Sequence, residues 1–297
     1  MRRIIFLALP ALLTSLPLPA QDDPKAERAA EKQAQKERDE RWKEAAKAFS
    51  TKIRSSEEGL RIAAIADLAV IPDPRVIDTL APYCRSDSAS VRTAAIQAIS
   101  AIDNPKSSGV LAGSISANQR DGTVLRAVIE GLKRLDWEEG ARALNPLLKQ
   151  YQDPVIQPLV SILLDALGSI GSMTSFAPIV DLLSAAEAQG TGGYNPQTGQ
   201  QAPGMGSVGQ GNQAVAALAE PCKKALGAIT GRPPSGSTSE WKLWLKDNEG
   251  NLHYVVTYLC PESGRRWAKG TWEKKKKCPT NEKHTQDTVV KSTLKKG

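Results

Sequence analysis

Residues 87–99 read Asp87-Ser-Ala-Ser-Val91-Arg92-Thr-Ala-Ala95-Ile96-Gln-Ala-Ile99, a short polar start followed by apolar residues at helical spacing. Ala95, Ile96, Ile99 and Ile102 are the second of four copies of one pattern. The others are Ala64, Ile65, Leu68, Ile71; Val128, Ile129, Leu132, Leu135; and Leu163, Leu164, Leu167, Ile170. Matching positions are offset by 31, 33 and 35 residues. A near-fixed period of this length, with an i, i+1, i+4, i+7 stripe inside each unit, predicts stacked helical hairpins, an all-α solenoid.

A second stripe keeps the same register. Leu80, Leu111, Leu144 and Ile179 match across units, as do Cys84, Ile115, Leu148 and Leu183, so both helices of each hairpin feed one core. Breakers mark the turns between them: Pro72-Asp73-Pro74, Asp103-Asn104-Pro105, Trp137-Glu138-Glu139-Gly140 and Gly171-Ser172-Met173. Glu138 and Glu139 read here as solvated turn residues. A fifth unit is displaced: Leu226 and Ile229 match Leu167 and Ile170 at an offset of 59, and the 24-residue excess over 35 equals the Gly, Gln and Pro-rich segment 189–212. That insert is expected to project as a long loop. Trp241, Trp244 and Leu245 then share one helical face within 239–247, suited to sealing the last exposed core.

The 87–99 stretch resembles the first helix of the HEAT-repeat family, with its Asp, then Val-Arg, then small and apolar residues. Leu60-Arg61 matches in register, Leu125-Arg126 falls one residue late, and Pro158-Leu159-Val160 lacks the Arg. The resemblance covers about residues 50–188 and resumes near 213. It implies a right-handed superhelix, a solenoid over 51–247, and a protein-binding role with no catalytic residues to carry over. The segment 239–247 resembles the Trp-containing capping helix of exported bacterial proteins of that family.

The ends read differently. In residues 1–20, Arg2 and Arg3 precede an apolar run from Ile4 to Leu16, and Pro19-Ala20 precedes polar Gln21, the pattern of a signal peptide. The run is shorter than a membrane span and is broken by Pro10. Export to the periplasm or outside the cell is therefore expected, with no spanning segment left in the mature chain. Residues 21–50 mix both charge signs and lack apolar heptads, which predicts a solvated helical arm. Its last turns carry a stripe of Trp42, Ala45, Ala46 and Phe49.

From residue 251 onward eleven cations face four carboxylates, a difference of +7 that equals the formal net charge of the whole 297-residue chain. His253 to Leu259 reads as a strand and Trp267 to Trp272 as a hairpin turning at Gly270. Leu259-Cys260-Pro261 and Lys277-Cys278-Pro279 each resemble a zinc-ribbon knuckle whose second Cys has become Ser263 or Asn281. Ser and Asn are poor zinc ligands. The resemblance implies converging cysteines and hence a metal-free ribbon held by a Cys260–Cys278 disulfide; the alternative is zinc recruiting His253 or His284, the two histidines of the chain. Arg265, Arg266, Trp267, Trp272, Lys274, Lys275, Lys276 and Lys277 are the candidate contacts to an anionic envelope polymer or membrane surface. The alternative is a solubilising tail. Export argues against nucleic acid as the natural partner.

Catalytic signatures are missing. Gly204-Met-Gly206-Ser-Val-Gly209 spells G-x-G-x-x-G without a preceding strand or a βαβ unit, so no nucleotide site is read from it. The solenoid contains no His, and no triad, P-loop or metalloprotease spacing occurs. The expectation is a non-enzymatic scaffold without cofactor or metal, holding a protein partner on its concave face and insert.

Overall fold

The computed structural model describes residues 24–71, 73–190, 210–259, 266–268 and 289–296. Residues 1–20, read from sequence as a signal peptide, and most of the Gly-rich insert lie outside them. The chain divides into two units, residues 1–45 and 46–297. Helix α1 (Pro24–Lys52) supplies the described part of the first unit. Its exposed side chains bond along the helix, Gln33 to Glu37 at 3.0 Å and Arg38 to Gln35 at 2.7 Å. Such local pairs suit a helix with little apolar surface of its own.

The second unit is a two-layer stack of helices. One layer holds α2 (Glu58–Ala69), α4 (Ala89–Ser100), α6 (Gly122–Leu135), α8 (Val160–Ile170) and α11 (Ala219–Thr230), each packed on the next. The other holds α3 (Arg75–Leu80), α5 (Pro105–Asn118), α7 (Glu138–Leu148), α9 (Phe176–Gly190) and α12 (Thr238–Asn248). A short α10 (Gln210–Ala216) packs on α9. This is the all-α solenoid that the repeat period calls for.

Burial follows the period. All four copies of the two second-helix positions are buried, Leu80 with its equivalents and Cys84 with its equivalents. So are the first three positions of every first-helix stripe. The fourth differs between units: Leu135 and Ile170 are the last residues of α6 and α8 and are buried, whereas Ile71 and Ile102 lie beyond the ends of α2 and α4 and are half-exposed. Leu226 and Ile229 are buried on α11, which stands beside α8 as α8 stands beside α6. There the backbones approach closely, since a Cβ on Gly168 would lie 3.1 Å from the Ala225 Cα.

Polar ends are tied in the same rhythm. Ser88 caps α4 by accepting from the Val91 N–H, and Asp121 caps α6 by accepting from the Val124 N–H. Several bonds then span one repeat: Asn118 Nδ2 to the Cys84 carbonyl at 2.8 Å, Trp137 Nε1 to Asp103 at 3.3 Å, and Ser172 Oγ to Glu138 at 2.7 Å, each between residues 34 apart. Buried polar groups need such partners, and here they also fix how one hairpin sits on the next.

Two local readings are corrected. Glu138 and Glu139 are not turn residues: Asp136 adopts a left-handed conformation (φ 55°) at the end of α6, so the link is only Asp136-Trp137 and both glutamates open α7. Glu138 is consequently buried, at 6 % exposure, and takes the Ser172 hydroxyl while Arg142 approaches at 3.6 Å. Carboxylates are favoured in the first turn of a helix, whose exposed N–H groups carry partial positive charge. The insert is also shorter than 189–212, since α9 runs to Gly190 and α10 starts at Gln210.

After α12 the described chain forms strands β1 (Leu252–Leu259), β2 (Arg266–Ala268) and β3 (Val289–Lys296), antiparallel in the order β2-β1-β3. Strand β1 pairs with β3 along its whole length and with β2 through Thr257, Tyr258 and Leu259. The partner of β1 is thus residues 266–268, ahead of the turn read at Gly270, which lies outside the described residues. Strand β3 falls in what reads from sequence as a basic tail.

Candidate functional site

Two arginines of the first-helix layer join repeats. Arg61 donates to Asp87 at 3.1 Å and Arg92 to Asp121 at 2.8 Å, each pair less than one-third exposed. Each acceptor stands at the start of the next repeat, so the Arg of one hairpin clips the entry of the following one. Arg126 does not repeat this. It lies one residue late, about 100° further round the helix, and that turn takes it off the joint. Its contact is instead an exposed one with Glu130 on the same helix, at 3.5 Å. Asp153, at the equivalent joint, accepts the N–H groups of Val155 and Ile156.

The displaced arginine lines a groove. A depression of about 680 Å³ is bounded by Arg126, Glu130, Lys133 and Arg134 of α6 and by Ser161, Ile162, Asp165 and Ser169 of α8. It continues, through Lys133, Ser161, Asp165 and Ser169, into one of about 660 Å³ between α8 and α11. There the floor is Leu164, Gly168, Ala225, Ala228 and Pro234, with Glu220 and Lys224 at the edge. Small residues of α8 and α11 line this hollow, and the two helices approach closely there, since a Cβ on Gly168 would meet Ala225 and Ala228. Lys133 and Asp165 pair across the groove, and Lys223 with Glu220 at 3.0 Å beside it. Arg134 is exposed and has no ionic partner among the described residues. An apolar floor with charged edges suits an amphipathic peptide segment.

Trp241 and Trp244 are packed rather than open. Trp241 is 1 % exposed, lies edge-on to Phe176 at 6.2 Å and to Trp244 at 6.3 Å, and has the Arg232 guanidinium 5.2 Å over its ring. Ser237 and Glu240 close a reciprocal cap at the start of α12, with the Ser237 N–H donating to Glu240 at 2.6 Å; that bond holds the Glu240 carboxyl below its usual range.

Cys84 and Cys222 are free and buried in two different repeats. Burial pushes both thiols from 9.0 up to about 12. Neither is therefore a nucleophile near neutrality. Because the folded-state value is the raised one, the associated stability is intact below pH 9 and is lost as the pH climbs from about 9 toward 12. Both thiols are expected to resist iodoacetamide in the native protein at pH 8 and to react once urea unfolds it. Equal labelling rates in the two states would contradict their burial.

Of the candidate anion contacts, Arg266 and Trp267 lie on β2, opposite Leu259 and Tyr258 of β1. Cys260, Cys278, Arg265, Trp272, Lys274, Lys275, Lys276, Lys277 and His284 fall outside the described residues; His253 is on β1. No group of three metal-ligating side chains occurs among the described residues, and no described helix is long and apolar enough to cross a membrane. The groove was not legible from the repeat pattern alone, although the late position of Arg126 was its visible trace.

The comparison with known families agrees with the packing. The family described as HEAT repeats matches residues 46–133, from the last turns of α1 to near the end of α6. No curated protein matches the chain. The class is thus a helical-repeat protein that is similar to HEAT repeats over that stretch, and the same two-layer packing continues through α8, α9 and α11.

Proposed function

We propose that the protein is an exported, non-enzymatic scaffold whose helical repeats hold a segment of a partner protein in the groove across α6, α8 and α11. HEAT repeats commonly mediate protein interactions, and stacked repeats present extended binding surfaces. The observation that carries the reading is the release of Arg126 from the repeat joint to a groove with an apolar floor. Ser161 and Ser169 are exposed on that groove, so Ser161→Trp with Ser169→Arg should leave the melting temperature within about 2 °C while blocking the site. Affinity capture from envelope extract should then lose whatever the wild-type protein retains. Undiminished capture would move the partner site elsewhere.

The second reading is a binder of anionic polymer or membrane surface acting through the basic segment after residue 250. Its support is charge: the whole formal excess of +7 lies there. The same segment is proposed to be a ribbon-like module closed by Cys260–Cys278, as export would permit. Intact mass of the protein recovered from cells tests both parts. The expected species lacks residues 1–20, gains two hydrogens on reduction, and carries no zinc. Stoichiometric zinc with four free thiols would contradict the disulfide, and an uncleaved chain would contradict export.

A further inference from the structure

The repeat register gives each of the three groove helices an outward ridge of residues one turn apart. On α6 it is Arg126, Glu130 and Arg134. An offset of 35 carries these onto Ser161, Asp165 and Ser169 of α8, and a further 59 onto Glu220, Lys224 and Ala228 of α11. All nine residues are exposed, and all nine line the two joined hollows. The middle ridge is the low one, since two of its three side chains are serines.

The charges on these ridges do not cancel evenly. Every carboxylate among them is taken: Glu130 by Arg126 at 3.5 Å, Asp165 by Lys133, and Glu220 by Lys223 at 3.0 Å. The charges left over are Arg134 and Lys224, which have no ionic partner among the described residues. Both are cations, and they stand on the two outer helices with α8 and the apolar floor between them. Neighbouring helices pack about 8–10 Å apart, so α6 and α11 are about 16–20 Å apart across the groove. An occupant lying there meets a free positive charge on either side and a spare negative charge on neither.

We propose that the partner segment held in this groove is a short acidic amphipathic helix, its apolar stripe on the floor and its Asp and Glu residues on the flanks, reaching Arg134 on one side and Lys224 on the other. The proposal rests on the groove reading above and gives that partner a charge and a length. The floor of Leu164, Gly168, Ala225, Ala228 and Pro234 suits apolar anchors at helical spacing. Each ridge spans eight residues, about 12 Å, so about two to three turns of a partner helix fill it. A basic segment would set like charges beside Arg134 and Lys224, which disfavours the wrong partner as strongly as pairing favours the right one. An acyl chain needs an enclosed apolar site, and these ridges stand open to water.

The test is selection of phage-displayed random peptides, each about three to four helical turns long, against the purified protein. The enriched peptides should carry an apolar stripe at helical spacing and more Asp and Glu than Lys and Arg. The best of them should bind Arg134→Glu with Lys224→Glu at least about tenfold more weakly, and selection repeated on that variant should return basic peptides. Both positions are exposed and unpaired, so its melting temperature should stay within about 2 °C of the wild type. The control Lys242→Glu with Lys246→Glu makes the same charge change at exposed positions of α12 and should bind like the wild type. Ser161→Trp with Ser169→Trp fills the groove without changing its charge and should abolish binding. Peptides that the tryptophans block but that show no acidic excess, or that bind the charge-reversed variant undiminished, would overturn the acidic assignment and leave the groove reading standing. So would equal losses in the reversal and its control. Peptides indifferent to the tryptophans, or no enrichment at all, would overturn the groove reading as well.

Discussion

Trp241→Ala should destabilise the protein by about 3–5 kcal/mol, the range for truncating a buried aromatic side chain. Trp241 is 1 % exposed and fills the end of the stack between Phe176 and Trp244, whose own ring lies 5.5 Å from Phe176. Its removal opens a cavity that the cap and the α9 end line together, and leaves the Arg232 guanidinium without its ring. Stability in a repeat stack is a sum of neighbour contacts, so the loss should fall first on α9, α11 and α12. Urea unfolding followed by circular dichroism should show the midpoint falling, with an early phase from that end. Leu243→Ser on the same helix, where Leu243 is 59 % exposed, should change stability by less than about 0.5 kcal/mol. Equal effects of the two substitutions would deny Trp241 its sealing role.

Asp121→Ala should cost about 2–3 kcal/mol, because one carboxylate does two jobs. It caps α6 through the Val124 N–H at 3.2 Å and receives Arg92 from the previous repeat at 2.8 Å. Without it the Arg92 guanidinium, only 19 % exposed, loses its ionic partner. Asp121→Asn retains an oxygen for the cap and should recover about 1 kcal/mol of the loss. Arg126→Ser provides the contrast: its pair with Glu130 is more than half exposed on both sides, and such pairs contribute about 0–1 kcal/mol. Chemical denaturation of the four proteins should therefore rank wild type and Arg126→Ser together, then Asp121→Asn, then Asp121→Ala. A cost for Arg126→Ser as large as that for Asp121→Ala would mean that Arg126 also joins repeats.

The repeat was legible because it is periodic. Leu80, Leu111, Leu144 and Ile179 could be aligned by offset alone, and all four are buried. Turn chemistry was less legible. Nothing in Asp136-Trp137-Glu138-Glu139 shows that Asp136 adopts the left-handed conformation, and that one residue decides whether Glu138 is solvated or buried against Ser172. The groove escaped for a related reason. It is lined by the small residues Gly168, Ser169, Ala225 and Ala228, on helices separated in sequence by the insert, and small residues give no apolar signal. Arg126 did leave a trace, since a residue one place late in a repeat has turned to a different neighbour.

The most direct test of the scaffold account is site-specific photo-crosslinking in cells. A photoreactive residue at Ser161 or Ser169 faces the groove, and one at Ser116 on α5 or Ser184 on α9 is exposed on the other helical layer. The account predicts one discrete higher-mass adduct from the groove positions, absent from the other two and lost when Arg126 and Arg134 become Ser. Adducts of equal yield from all four positions, or adducts only from Ser116 and Ser184, would contradict it.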